Sequence, residues 1–329
     1  MKTIHCSLLI ALCTLLIALF LPSCIGMAAT AEEYYSLGMA YYDLGKFEEA
    51  EKWLNRARVA DRTFVASQYN LGRLAFERKN FEEAARHFEG VLRRDPDNIL
   101  ALRAAAYTRI RTGEIEIAQK HYSRLLYLVP ESADDGYNHG LVLYAMKRYS
   151  EVEEVLDKYP FALQDNKDLQ LLYARALAGQ NKIEAIEAYD NWLAANTDSK
   201  ARYEYGLVLE HHEFYVKALE ELRKAHTETT AASTDPKRNE VRFAIARVLL
   251  VADRESAEGI TEMQTAVNEG FSNIEAIEEI IGSGKISETN SSGLRSIINN
   301  LQRVEAEKIE ADKTEEEEDS ESDTQTGSD

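Results

Sequence analysis

With 329 residues, 45% of them hydrophobic, the chain can bury a sizeable core, and with 5 Pro and 16 Gly it favours helix. A net charge of −19 with no basic stripe excludes a nucleic-acid binder and disfavours adsorption to anionic lipid. The cysteines are Cys6, Cys13 and Cys24, so the body has no disulfide framework, thiolate nucleophile or Cys-based metal site.

The N-terminus comes first. Lys2 is the only charge before Glu32, and Leu8 to Leu21 is an apolar run closed by Pro22. A positive start, a short apolar core and then small residues make a secretory signal, predicted over 1–30. The core is shorter than the roughly 20 residues of a membrane span. Leu21-Pro22-Ser23-Cys24 resembles a bacterial lipobox, with Pro22 where that motif has a small or aliphatic residue. The resemblance implies a lipid on Cys24. Cleavage after Ala28 or Ala31 is the alternative, and the uncharged stretch to Ala31 also permits an uncleaved anchor. Each version places the protein outside the cytoplasm, periplasmic or anchored on the envelope side.

The body repeats itself. Gly38, Gly72, Ala106, Gly140 and Ala174 follow one another at steps of 34 residues. The series Ala50, Ala84, Ala118 and the series Leu54, Phe88, Tyr122, Leu156 keep the same step, as do Pro96 and Pro130. Small residues on two helices let them approach closely, and the bulky residue plugs the seam. Gly45, Asn80 and Gly113 lie in the intervening turns, where a positive φ ends a helix. Asp95-Pro96 and Val129-Pro130 close two units.

In these residues the chain resembles the tetratricopeptide family, whose unit is a helix–turn–helix of this length. The resemblance implies an all-α, right-handed superhelical solenoid with a concave groove, stabilised by stacking neighbours. Units are expected at about 31–64, 65–98, 99–132, 133–166, 167–198 and 199–232, with a degenerate pair at 239–270. In the fourth, Val152 replaces the expected Ala; in the fifth, Ala185, Tyr189 and Trp192 come one residue early. A helical capping segment follows at 271–304, broken into short helices at Gly282-Ser283-Gly284 and Ser291-Ser292-Gly293. Residues 305–329 hold twelve acids and two lysines and are expected to be a disordered acidic tail.

In the family, the first helix of each unit lines the groove. The residue three before the small one points inward, giving Tyr35, Tyr69, Arg103, Tyr137 and Tyr203. Four places beyond the small residue come Tyr42, Phe76 and Tyr144; one place beyond come Met39, Arg73 and Tyr107. Tyr and Arg are common interface anchors, so a groove for a peptide or helix of a partner is expected. Packing between helices, or pairing of the arginines with acids, is the competing account of the same residues.

No P-loop, dinucleotide fingerprint, zinc-protease motif or nucleophile elbow is present. His211 and His212 are adjacent on a helix, so they point about 100° apart and suit no shared metal. Glu48-Glu49 and Glu82-Glu83 open second helices, where they complement the dipole. The expectation is a non-enzymatic adaptor in the bacterial envelope, without cofactor or metal, that binds other envelope proteins. The alternative is an accessory subunit of a solute-binding or transport system, which a resemblance to spirochaete lipoproteins of this repeat type suggests.

Overall fold

The computed structural model describes residues 29–230 and 232–325. Residues 1–28 of the expected signal segment, with Cys24, lie outside them. All regular structure among the described residues is helical, in 17 helices. The chain divides into two compact units between Val142 and Leu143.

The first unit contains α1 (Ala31–Asp43), α2 (Phe47–Ala60), α3 (Val65–Glu77), α4 (Phe81–Leu92), α5 (Ile99–Arg111), α6 (Ile115–Leu128) and the start of α7 (Ala133–Ala145). The second has α8 (Tyr149–Leu156), α9 (Pro160–Asp165), α10 (Lys167–Gly179), α11 (Glu184–Ala195), α12 (Ser199–His211) and α13 (Tyr215–Glu228). It continues with α14 (Arg238–Ala252), α15 (Ala257–Asn268), α16 (Ile274–Gly282) and α17 (Glu288–Gln325). Within each unit, helices pair in chain order, and the second helices α2, α4, α8, α11 and α13 also pack on the first helix that follows.

The seam of each pair explains the repeated small residue. A Cβ built on Gly72 would lie 2.7 Å from the Phe88 ring, and one on Gly206 would lie 2.6 Å from Leu222. The glycine makes room for a side chain, rather than for a second backbone. Leu54, Phe88 and Leu222 fill such spaces, and Tyr122 and Leu156, at the equivalent positions, are buried too. Each is worth about 1.5–3 kcal/mol of apolar burial. Ala50, Ala84, Ala118 and Ala218 are fully buried beside them.

The turns within the first six pairs share one backbone device. Gly45, Lys79, Gly113, Lys147, Asn181 and Glu213 all have φ between 56° and 81°. Asn80, expected to supply the positive φ, instead caps α4 by accepting from the Glu83 amide at 3.3 Å. The left-handed residue is Lys79, one place earlier.

The C-terminal segment departs from expectation twice. Ser291-Ser292-Gly293 does not break a helix but lies inside α17. Leu294, Ile297 and Ile298 bury against Met263, Ile277 and Ile280, and Asn290 Nδ2 donates to Arg254 O at 2.9 Å. Tertiary burial there outweighs the weak propensity of Ser and Gly. Residues 305–325, expected to be disordered, continue α17. Their Glu, Lys, Ala and Gln propagate a helix whose nucleus is already packed. Among the described residues, no helix is long and apolar enough to cross a membrane.

A non-glycine residue at a left-handed φ costs about 1–2 kcal/mol, partly offset by the entropy that glycine loses on folding. Lys79→Gly and Lys147→Gly should each therefore stabilise the fold by about 0.5–1 kcal/mol. Gly113→Ala should destabilise it by about 1 kcal/mol. Equilibrium urea unfolding followed by circular dichroism checks both signs.

Candidate functional site

In the first unit, Tyr35, Met39 and Tyr42 follow one face of α1 at helical spacing, and all three are half-buried. They meet α3 through Asn70, a buried polar residue. Asn70 Nδ2 donates to Tyr35 Oη at 3.1 Å, and its Oδ1 accepts from Arg73 Nη1 at 3.0 Å. Arg73 then reaches back to α1. Its Cζ lies 4.9 Å from the centre of the Tyr42 ring, and Nη2 donates to Tyr42 Oη at 3.4 Å. A cation against an aromatic face adds attraction while leaving the guanidinium edge available.

The surface continues to α5. The Phe76 ring lies 5.6 Å from Tyr107 and 5.2 Å from Phe81. Between α3 and α5 opens a hollow of about 180 Å³, lined by Arg73, Phe76, Glu77, Phe88, Ala104 and Tyr107. Tyr107 is 47% exposed, so a large ring stands at the edge of this hollow with much of its area still in water. Tyr69 is half-buried with its ring 5.5 Å from Phe88, and so belongs to the seam as much as to the surface.

Arg103 has a different employment. Its Nε and Nη2 donate to the two oxygens of Asp135 at 2.8 and 2.6 Å, joining α5 to α7. The Asp135 side chain is only 1% exposed and also accepts from Ser132 Oγ at 2.7 Å. Burial works to raise the Asp135 pKa, but the hydrogen bonds from Arg103 and Ser132 outweigh it and hold the carboxyl below its usual range. Arg103 is thus a clamp on a buried carboxylate. Tyr137, on α7, is half-buried.

In the second unit, the equivalent surface is largely satisfied from within. Arg175 Nε donates to Glu204 Oε2 at 2.8 Å, joining α10 to α12. Arg247 Nε and Nη2 donate to the Glu210 carboxylate at 2.7 and 2.6 Å, joining α14 to α12. Tyr144 packs on Tyr149 with ring centres 5.3 Å apart, and burial raises its hydroxyl pKa. Tyr203 packs against the core that holds Tyr205 and Val241, and burial raises its hydroxyl pKa too. The His211 and His212 rings stand nearly perpendicular. Among the described residues, no three His, Cys, Asp or Glu side chains are grouped to hold a metal.

The sequence-predicted residues therefore separate. Tyr35, Met39, Tyr42, Arg73, Phe76 and Tyr107 come together on α1, α3 and α5, while Arg103 serves the fold and Tyr144 and Tyr203 belong to the second unit. Sequence reasoning missed Asn70, Asp135, Glu204 and the Glu210–Arg247 pair. The period itself carries the missing signal: Asn70 is 35 positions from Tyr35, and Asp135 is 32 from Arg103, so residues about one repeat apart face each other.

Removing Arg103 leaves a buried carboxylate without its cation. Arg103→Ala should destabilise the protein by about 1–3 kcal/mol at pH 7. The Asp135 pKa is depressed in the folded state, so the contribution is fully present above the unfolded value near 4 and is lost as pH falls through the folded value. The gap between native and variant in urea unfolding should hold from pH 7 to 5 and narrow only below about 4.

Two tetratricopeptide repeat models match residues 35–99 and 75–135. An uncharacterized lipoprotein of Treponema pallidum is 25% identical over 145 residues, which are 44% of this chain and 74% of that protein. A tetratricopeptide repeat protein from Parabacteroides merdae has the same fold with a TM-score of 0.51 and 21% identity, over 76% of this chain and 96% of the other. YrrB, a TPR protein with an unusual peptide-binding site, is 19% identical with a TM-score of 0.47, over 52% of this chain and 90% of its own. The 34-residue period, the helix pairs it produces and the two repeat models identify tetratricopeptide repeats over residues 35–135, and the chain shares the fold of a tetratricopeptide repeat protein.

Proposed function

We propose that the protein is a non-enzymatic scaffold of the bacterial envelope, and that the first unit holds an extended or helical segment of a partner protein on the face shared by α1, α3 and α5. The observation that carries this reading is the hollow between Arg73, Phe76 and Tyr107. Two aromatic rings and a guanidinium converge there, and Tyr107 remains 47% exposed. The rings bury large area, and the Tyr107 hydroxyl and the Arg73 guanidinium are polar tips for the partner backbone.

Export is supported by the signal-like segment before residue 31 and by the likeness to a lipoprotein. A lipid on Cys24 fits the first helix better than cleavage after Ala31. Thr30 Oγ1 accepts from the Glu33 amide at 3.2 Å, and Glu33 Oε2 accepts from the Thr30 amide at 2.8 Å. Cleavage after Ala31 would remove this capping box and about 1 kcal/mol of helix stability; a chain starting at Cys24 or cleaved after Ala28 retains it.

A photo-crosslinking amino acid in place of Tyr107, introduced in intact cells, tests the surface. A discrete envelope protein should be captured from position 107 and not from Tyr127, which is 75% exposed on α6. Adding Arg73→Ala should reduce that capture several-fold with the helical content unchanged, and Cys24→Ser should move the product out of the membrane fraction. Equal capture from positions 107 and 127 contradicts the proposed surface.

A further inference from the structure

One repeat is built differently from its neighbours. The second helices α2, α4, α6, α11, α13 and α15 run for 12 to 14 residues. α8 stops after 8, at Leu156. Pro160 then opens α9, a helix of 6 residues that the other repeats lack, before α10 begins. At least one helical turn is therefore missing from the second helix of this repeat. A hollow of about 620 Å³, bounded by α8, α9, α10 and α11, takes its place. That volume lies in the range of small-ligand sites.

The walls have two chemistries. Leu163, Tyr173, Leu177 and Trp192 supply an apolar side. The indole is fixed, because Trp192 Nε1 donates to Lys167 O at 2.8 Å. The Tyr173 hydroxyl pKa is pushed up to about 12, by burial first and then by the negative charge of Asp157, so the ring stays neutral. The polar side is acidic. Glu153 is already committed, accepting from Lys182 Nζ at 2.6 Å and from Gln180 Nε2 at 2.7 Å. Glu184 and Glu187 are not. Both are exposed on one face of α11 at i,i+3 spacing, and neither forms an ion pair among the described residues.

We propose that this hollow binds a ligand made of an apolar body and a positively charged nitrogen, the body against Tyr173 and Trp192 and the nitrogen facing Glu184 and Glu187. Either a free organic amine or a basic side chain beside a bulky apolar one in a peptide supplies that chemistry. The site lies in the second unit and uses none of the residues of the surface on α1, α3 and α5, so the two readings stand or fall separately.

The chain has two tryptophans, Trp53 and Trp192, so in the full-length Trp53→Phe variant the emission reports on this hollow alone. That protein is titrated with phenethylamine, with phenylpropionate and with N-acetyl-Phe-Lys-amide. The amine should change Trp192 emission saturably, and the carboxylate should not do so at a tenfold higher concentration (~1.4 kcal/mol of discrimination). The surface substitutions Glu184→Gln and Glu187→Gln, combined, should weaken amine binding by about tenfold while leaving the circular dichroism unchanged. If the capped dipeptide saturates at lower concentration than the amine, the natural source is a peptide; if the amine does, it is a free small molecule. The proposal is overturned if amine and carboxylate titrate alike, if the double variant binds the amine like the parent, or if no probe changes the emission.

Discussion

In three helix pairs a glycine on the first helix faces a bulky residue sixteen positions later, Gly38 with Leu54, Gly72 with Phe88 and Gly206 with Leu222, and the rest of the structure depends on that contact. Phe88 fits only because residue 72 has no side chain, and Leu222 only because residue 206 has none. The contact fixes how each pair closes. It cannot by itself hide the outer side of the second helix, which then packs on the next first helix. Stacking in turn brings residues about one repeat apart into register. Tyr35 with Asn70, Tyr42 with Arg73 and Arg103 with Asp135 are consequences of the same spacing.

The two units spend their arginines differently. In the second, Arg175 and Arg247 are each held by a carboxylate from a neighbouring first helix. In the first, Arg103 is held in the same manner, but Arg73 rests on an aromatic ring and a side-chain amide. A guanidinium on a ring is less neutralised than one in a bidentate pair and retains capacity for a partner. This difference, together with the exposed Tyr107, is why a partner surface is placed on α1, α3 and α5.

The repeat was legible because it is written in side-chain size, and size is visible in a sequence. The series from Gly38 to Ala174 and from Leu54 to Leu156 needs no structure to be found. The turn residue was half legible. Glycine at 45 and 113 announces a left-handed backbone, whereas Lys79 and Lys147 adopt the same φ with no sign of it in their chemistry. The fate of Arg103 was illegible for a different reason: Asp135 looks like any helix-opening acid until stacking buries it. The Ser291–Gly293 stretch misled because local propensity is weaker than the burial of Leu294 and Ile297. The hollow beside α9 had only a faint signal, the Val152 that replaces the repeated alanine just before the helix stops short.

The central claim is that the face shared by α1, α3 and α5 takes a segment of a partner protein. Hydrogen exchange on the full chain, with and without the peptide recovered from the Tyr107 crosslink, reads this most directly. The account predicts slower exchange in α1, α3 and α5, with α2, α4, α6 and the second unit unchanged. Slowing confined to the second helices, or no slowing in the first unit, would contradict it.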